Sequence, residues 1–355
     1  AVRTRSRLGH TSDIKNLPDE LAAFRPTVVL SVPRVFEKVY NTAQHKAITE
    51  GHGGIFARAE ATAIAYSEAM DKRGPGPVLR LRHAVYDRLV YQKLRAALGG
   101  NVQYALSGGA PLGVRLGHFF RGMGIAILEG YGLTETCAGI TISGPGAQRV
   151  GAVGRAAPAH AVRISPDGEV LLKGPGVFSG YWNNEAATRQ VFDEEGWFHT
   201  GDIGRLTDDG FLEITGRIKD LIVTSAGKNV APAPLEDRMR AHWLVSQCLV
   251  VGDGRPFVAA LVTLDPDALA QWAQEHHRSS TDAASLRGDP ELLAELQTAV
   301  DDANEAVSKA EAIRKIRVLP ADFSESGGEL TPTLKVKRAN VMKEFADEVD
   351  ALYTK

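Results

Sequence analysis

The segment 102–129 constrains the fold of this chain more than any other part of the sequence. Two short apolar runs, at 102–106 and 125–129, flank a helical pattern near 112–121. This order and spacing predict a strand–helix–strand unit with parallel strands. Ligands of such sheets bind beyond the carboxyl ends of the strands. We therefore expect a site where residues 107–110 and 131–135 follow the two strands.

The rest of the chain divides into two kinds of pattern. Upstream, an apolar run at 27–32 predicts another buried strand, and Ala-rich helical spacing follows from 35 to 98. After residue 150, short strands alternate with glycine turns, which predicts an antiparallel, barrel-like region. From about residue 220 a small α+β domain is expected, with strands at 220–224, 247–252 and 257–263 and helices at 233–241, 290–308 and 338–350.

Composition excludes several classes of protein. The chain has 355 residues and a net charge of -2, so no overall charge attracts nucleic acid. Its two cysteines argue against a disulfide framework and favour a reducing, cytoplasmic compartment. No apolar run approaches the ~20 residues that span a bilayer. Peripheral contact with a membrane is left open.

The segment 128–136 carries the strongest chemical signal. An aromatic ring, a glycine, a hydroxyl and a carboxylate follow one another in Tyr131, Gly132, Thr134 and Glu135. This combination suits a loop that stacks a nucleobase, lets backbone approach a ligand and holds a metal ion near phosphate. An ordinary turn at a strand end is the alternative.

Four further segments are weaker signals individually. Ser107–Leu112 opens a helix with two glycines after a strand, although neither a P-loop nor a dinucleotide-binding motif occurs. Asp202, expected in a turn, offers several lone pairs to the hydroxyls of a ribose. Arg217 could reach the same ribose or a phosphate. Lys335, expected in a structureless stretch, suits a bridge between a carboxylate and a phosphate, but a surface lysine is the ordinary alternative.

Six motifs occur in a fixed order between residues 105 and 338. They read SGGAPL, EGYGLTE, WFHTGD, GRIKD, AGKNVAP and TPTLKVKR. Together they resemble the acyl-adenylate-forming (AMP-binding) superfamily. Within it the chain is most similar to bacterial long-chain fatty-acid–CoA ligases, through the segments 11–16, 30–40 and 330–338.

The resemblance implies an α/β fold with two parts. Residues 1–217 would form the C-terminal part of a large multi-layer adenylation domain, with parallel sheets and a barrel-like β region at about 150–217. Residues 218–355 would form a small mobile α+β domain. Family members carry a Ser/Thr/Gly-rich phosphate loop upstream of the segment at 11–16. We expect that this chain lacks that loop and that it adenylates poorly without it.

The resemblance also assigns roles to residues. The adenine pocket would be lined by Gly108, Gly109 and Ala110. Tyr131 would stack on the base beside Gly132, Thr134 would contact the α-phosphate, and Glu135 would hold Mg²⁺. The ribose would be bound by Asp202 and Arg217.

The resemblance implies roles in domain rotation, CoA entry and adenylation for three further residues. Lys219 is the hinge position, Gly227 would border the pantetheine tunnel, and Lys335 is the adenylation lysine. The implied reaction joins a fatty acid to AMP with release of pyrophosphate, and then transfers the acyl group to CoA. Transfer to a carrier protein, a non-catalytic adenylate- or acyl-binding fragment, and a purely structural fragment that binds no nucleotide are the alternatives.

Overall fold

A computed structural model describes residues 5–11, 16–331 and 334–354 of the chain. Part of the segment at 11–16, namely residues 12–15, and residues 332–333 of the last motif lie outside the described residues. The chain forms two compact units. The first comprises Ala1–Ala161, Gly174–Ser179 and Leu206–Glu213, and the second comprises Val162–Lys173, Gly180–Arg205 and Ile214–Lys355.

The first unit contains one five-stranded sheet and six helices among its described residues. Its strands are β1 (Val28–Ser31), β2 (Tyr104–Ser107), β3 (Ala126–Leu133), β4 (Ala138–Ile142) and β5 (Arg155–Ala156). Its helices are α1 (Leu17–Phe24), α2 (Pro33–Thr49), α3 (Gly53–Met70), α4 (Pro77–Tyr86), α5 (Gln92–Ala97) and α6 (Val114–Gly122), with a π-helical turn at Asp87–Tyr91 between α4 and α5.

The predicted βαβ unit is confirmed. Strands β1, β2 and β3 pair in parallel, with Ala105 opposite Ile127, and α6 connects β2 to β3. Buried aromatic and aliphatic side chains of α2, α3, α6 and the strands form one core, including Tyr40, Phe119 and Phe120. The expectation that β3 ends at residue 129 is wrong, because residues 130–133 continue the strand and pair antiparallel with β4.

The second unit holds the remaining strands and helices, except that Ala161, Leu206 and Leu212–Glu213, at the ends of three strands, belong to the first. The strands are β6 (Ala161–Ile164), β7 (Glu169–Lys173), β8 (Phe198–Leu206), β9 (Leu212–Arg217), β10 (Ile222–Val223), β11 (Asn229–Val230), β12 (Val245–Val251), β13 (Val258–Leu264) and β14 (Ile313–Val318). The helices are α7 (Glu185–Val191), α8 (Pro232–Arg240), α9 (Pro266–Glu275), α10 (Ala283–Leu286), α11 (Pro290–Asn304), α12 (Arg338–Glu344) and α13 (Ala346–Tyr353).

The region expected to be barrel-like is a four-stranded sheet with the order β6-β7-β8-β9. Strands β7 and β8 pair antiparallel across a bulge that lies opposite Val170. After this sheet, β10 and β11 pair as a short antiparallel hairpin. The strand expected at 220–224 is only two residues long, because Asp220 belongs to a 3₁₀ turn at Ile218–Asp220.

A separate three-stranded sheet, β12-β13-β14, organises the C-terminal residues. Every residue of β12 and β13 is buried, which is the pattern of strands covered on both faces. Side chains such as Leu235, Trp272 and Leu296 cover one face. Val341 and Val349 belong to the core on the other. The single helix expected at 338–350 is wrong, because Phe345 interrupts it between α12 and α13.

No helix among the residues that the structure describes is long and apolar enough to cross a membrane.

Candidate active site

The loop after β2 is tied to the neighbouring strand. Glu129 of β3 accepts a hydrogen bond from the backbone N–H of Leu112, with 3.1 Å between Oε2 and N. Gly109 has a φ of +87°, a left-handed conformation that favours glycine. Gly109 and Ala110 are exposed and Gly108 is half-buried. The loop therefore presents its backbone at the carboxyl end of a parallel strand.

Tyr131 and Gly132 lie within β3 rather than beyond it. The pairing of β3 with β4 shifts register between these two residues. A Cβ atom on Gly132 would lie 1.6 Å from the carbonyl oxygen of Ala138, so no other residue fits. The structure thus gives Gly132 a packing role, and its contact with a ligand stays a prediction.

Thr134 and Glu135 lie in a 3₁₀ turn, Thr134–Thr136, at the end of β3. Thr136 is buried and braces this turn: its Oγ1 accepts from the N–H of Leu133 at 2.8 Å and donates to the carbonyl of Ala138 at 2.9 Å. The sequence motifs did not point to Thr136, although threonine hydroxyls often bond to nearby backbone groups at turns. Thr134 is exposed and Glu135 is half-buried.

Glu135 has the chemistry of a magnesium ligand. Mg²⁺ is usually held by one or two carboxylates together with phosphate oxygens of a substrate, rather than by a cage of protein ligands. Among the described residues, no three His, Cys, Asp or Glu side chains group together as a metal site. A single carboxylate on a braced turn fits this mode of binding.

Asp202 lies inside β8, so the expectation that it sits in a turn is wrong. Leu171 pairs with His199 and Glu169 with Ile203, which leaves Thr200, Gly201 and Asp202 opposite the single residue Val170. Gly201, with a φ of +70°, allows this bulge. Asp202 is only 5% exposed.

The structure brings Asp202, Arg217 and Lys335 together. Nε of Arg217, at the end of β9, lies 2.7 Å from Oδ1 of Asp202, and this contact is an ion pair without hydrogen-bond alignment. The pKa of Lys335 is lowered, first by partial desolvation of its ammonium and then by the charge of Arg217, while Asp202 opposes the shift. One carboxylate and two cations therefore form a cluster with an excess of positive charge.

Lys335 lies outside any helix or strand, as expected, and hydrogen bonds to Thr331 hold its backbone. Its N–H donates to Oγ1 of Thr331 at 3.0 Å, and its carbonyl accepts from the N–H of Thr331 at 2.8 Å. Leu330 and Val336, which flank Thr331 and Lys335 in the sequence, form an antiparallel bridge. Leu334 and Val336 pack against the core formed by α12, α13 and the three-stranded sheet. This packing anchors the backbone while the side chain of Lys335 is only partly desolvated.

Lys219 and Gly227 lie in two separate turns at the surface. Lys219 is exposed in the 3₁₀ turn at Ile218–Asp220, directly after Arg217 ends β9. Gly227 has a φ of +75° and turns the chain between β10 and β11, where its N–H donates to the carbonyl of Thr224 at 2.8 Å.

Two family models match the chain. The model described as AMP-binding enzyme matches residues 7–182, and that described as AMP-binding enzyme C-terminal domain matches residues 219–355. The chain is 57% identical to the long-chain-fatty-acid–CoA ligase FadD15 of Mycobacterium bovis over 356 residues, which cover 100% of this chain and 59% of the relative. It is 36% identical to the long-chain-fatty-acid–CoA ligase ACSBG1 of Homo sapiens, over 95% of this chain and 50% of that protein.

A solved structure shows the same fold. The adenylation domain of a carboxylate reductase from Mycobacterium chelonae superposes with a TM-score of 0.72 at 23% identity, covering 97% of this chain and 49% of that one. The chain thus spans about half to three fifths of the length of the proteins it matches. These findings confirm the α/β class and the resemblance drawn from the six motifs. The chain belongs to the AMP-binding enzyme family.

Proposed function

We propose that the protein containing this chain is a long-chain fatty acid–CoA ligase. It joins the carboxylate of a fatty acid to the α-phosphorus of ATP, releasing pyrophosphate, and the CoA thiol then displaces AMP from the acyl-adenylate. The cluster of Asp202, Arg217 and Lys335 is the observation that carries this proposal. Its charges suit a ribose beside phosphate, because a carboxylate accepts from hydroxyls while cations offset the phosphate.

Each member of the cluster has a role in the proposed reaction. The carboxylate of Asp202 accepts hydrogen bonds from the ribose hydroxyls, and Arg217 holds that carboxylate in place and adds positive charge. Lys335 lies between the attacking fatty carboxylate and the α-phosphate, two anions that repel one another. Its ammonium stabilises the negative charge that develops as they meet.

Residues of the first unit have proposed roles of their own in binding the nucleotide. Gly108, Gly109 and Ala110 present backbone to the adenine edge, and Tyr131 stacks on the base beside Gly132. Thr134 donates to the α-phosphate. Glu135 is the proposed ligand of Mg²⁺, which offsets phosphate charge when it is bound.

The second half of the reaction requires Lys335 to leave and the thiol to enter. We place the hinge for this change at Lys219 and the pantetheine path at Gly227, both of which lie in exposed turns. Both cysteines, Cys137 and Cys248, are free, as is typical of a reducing compartment, so the proposal includes a cytoplasmic location, with peripheral membrane contact as an option.

Binding of adenylate analogues tests the proposed site. A non-hydrolysable palmitoyl-AMP analogue should bind the protein much more tightly than the acetyl-AMP analogue in isothermal calorimetry. Lys335→Ala should weaken palmitoyl-AMP binding roughly ten- to hundredfold, because a hydrogen bond to a charged group contributes about 1.5–3 kcal/mol. Lys343→Ala, which removes an exposed lysine of α12, is the matched control and should leave binding unchanged.

Two results would contradict the proposal. Equal affinity for the two analogues would show that the site does not recognise a long acyl chain. An unchanged affinity in Lys335→Ala would show that Lys335 does not contact the adenylate. Supplying a carrier protein in place of CoA separates the ligase from a carrier-loading enzyme, since only the latter forms a thioester with the carrier.

A further inference from the structure

We propose that Glu169 is a positioning residue that aims Asp202 at the ribose. No role was assigned to it from the sequence, and it lies on β7, the strand beside Asp202. The inference rests on the proposed function, because it presumes that Asp202 binds a ribose.

The bulge in β8 leaves backbone groups that ordinary strand pairing cannot satisfy. Three residues, Thr200, Gly201 and Asp202, lie opposite Val170 alone. A buried N–H without a partner is costly, so the bulge needs acceptors from elsewhere. Side chains supply them.

Glu169 supplies the first acceptor. Its Oε1 accepts from the N–H of Gly201 at 2.8 Å, the residue immediately before Asp202. Its Oε2 lies 2.7 Å from Nδ1 of His199, and since a carboxylate only accepts, Nδ1 carries the proton. With both oxygens engaged, Glu169 contacts the residue before the bulge and the middle residue of the bulge.

Thr200 supplies the second acceptor. Its Oγ1 donates to the carbonyl of Val170 at 2.7 Å and accepts from the N–H of Asp202 at 3.0 Å. Glu169 and Thr200 together fix two consecutive peptide groups, that of Thr200–Gly201 and that of Gly201–Asp202. The direction of the Asp202 side chain, and with it the ion pair to Arg217, follows from the second of these peptide groups.

Burial makes Glu169 suited to this role. Glu169 is only 8% exposed. Its backbone is fixed as well, because its N–H donates to Oγ of Ser165 at 2.8 Å. A carboxylate held in this way has one geometry rather than many. It therefore fixes the position of the Gly201 N–H, rather than moving with the bulge.

Discrimination between ATP and 2′-deoxy-ATP tests the inference. The full-length protein is assayed for acyl-CoA formation with each nucleotide, as wild type, Glu169→Ala, Glu169→Gln, His199→Ala and Glu195→Ala. Wild type should prefer ATP in kcat/KM, because Asp202 accepts from the 2′-hydroxyl. In Glu169→Ala the preference should fall about tenfold, since a misplaced carboxylate no longer recognises that hydroxyl.

The other variants separate positioning from a general structural role. Glu169→Gln keeps an oxygen for the N–H of Gly201 and should retain most of the preference. His199→Ala should lower it partly, and remains informative if Glu169→Ala does not fold. Glu195→Ala is the matched control, because this glutamate has a side chain 68% exposed and pairs only at the surface with Arg163.

The outcomes distinguish this inference from the proposed function. If wild type forms acyl-CoA and prefers ATP while the preference survives in Glu169→Ala and His199→Ala, the positioning role is overturned. An equal loss of activity with both nucleotides also overturns it, since loss of folded enzyme acts on both alike. A wild type that makes no acyl-CoA contradicts the proposed function itself, whereas one that makes it without preferring ATP contradicts only the role of Asp202 and this inference.

Discussion

Lys335 shows how neighbours at the scale of single residues set the chemistry of a site. Desolvation and the charge of Arg217 lower its pKa, and Asp202 raises it, with the net shift downward. Its ammonium is therefore lost at a lower pH than that of an ordinary lysine. A proposed reaction that needs this charge should decline as pH rises through the lowered pKa.

The signs of these two neighbours give a prediction. Asp202→Asn removes the charge that supports the ammonium and should lower the pKa of Lys335 further, whereas Arg217→Gln should raise it. The pH dependence of Lys335 acetylation by acetic anhydride, followed by peptide mass spectrometry, measures this pKa in each variant. Shifts in the same direction in both variants, or none, would show that the three charges do not lie together.

At the scale of secondary-structure elements, one close contact packs α6 of the βαβ unit against α3. Gly122 ends α6, and a Cβ atom there would lie 2.0 Å from the backbone carbonyl oxygen of Ala63 in α3. A backbone atom cannot move aside as a flexible side chain can. The packing of α3 against α6 therefore depends on a residue without a side chain.

Gly122→Ala should destabilise the protein by about 1–3 kcal/mol, the usual cost of overpacking. Gly54→Ala in α3 is the control, since the nearest atom to its added Cβ is Nη2 of Arg58 at 3.8 Å. Alanine there should be neutral or stabilise the helix by about 0.5–1 kcal/mol. Urea unfolding of both variants checks the pair, and equal stabilities would contradict the close contact.

The elements also show what could be predicted from sequence. Strands β1, β2 and β3 were found because apolar runs mark the strands of parallel sheets. The expectation that β1 is buried is wrong, because β1 ends the sheet and Leu30 is 77% exposed. Strand β14 was missed, since the adjacent charges of Arg314 and Lys315 break the alternation of apolar and polar residues that marks a strand. It gains its place by pairing with β13. The break at Phe345 has no glycine or proline, and its ring packs instead against Phe323, with centroids 6.0 Å apart.

The candidate site was predictable only in part for a similar reason. Its residue types could be read from the motifs, but Asp202 was expected in a turn. The bulge that places it inside β8 depends on the side chain of Glu169, which is 32 residues from Gly201 in the sequence. A contact of that span leaves no local pattern.

At the scale of the whole molecule, we propose a domain boundary between residues 217 and 218. Two of the hydrophobic cores consist wholly of residues from Ile222 onward, and the third consists of residues up to Ile127. The division by compactness instead groups Ile214–Lys355 with Val162–Lys173 and Gly180–Arg205. A core that is complete within one segment should fold without the rest.

Expression of residues 218–355 alone decides between these divisions. We expect a single cooperative thermal transition, because both cores of that segment are retained. A broad, non-cooperative transition would contradict the boundary and favour the larger unit. A longer fragment from residue 162 is the control.

Separate assays of the two half-reactions test most directly the central claim, that Lys335 serves the adenylation step. The full-length protein and its Lys335→Ala variant are given palmitate with ATP in one assay and preformed palmitoyl-AMP with CoA in another. We predict that the variant loses at least about a hundredfold in acyl-adenylate formation, because the charge that offsets two anions is gone, but still makes palmitoyl-CoA from palmitoyl-AMP. Equal loss in both halves, or none in the first, would contradict the account.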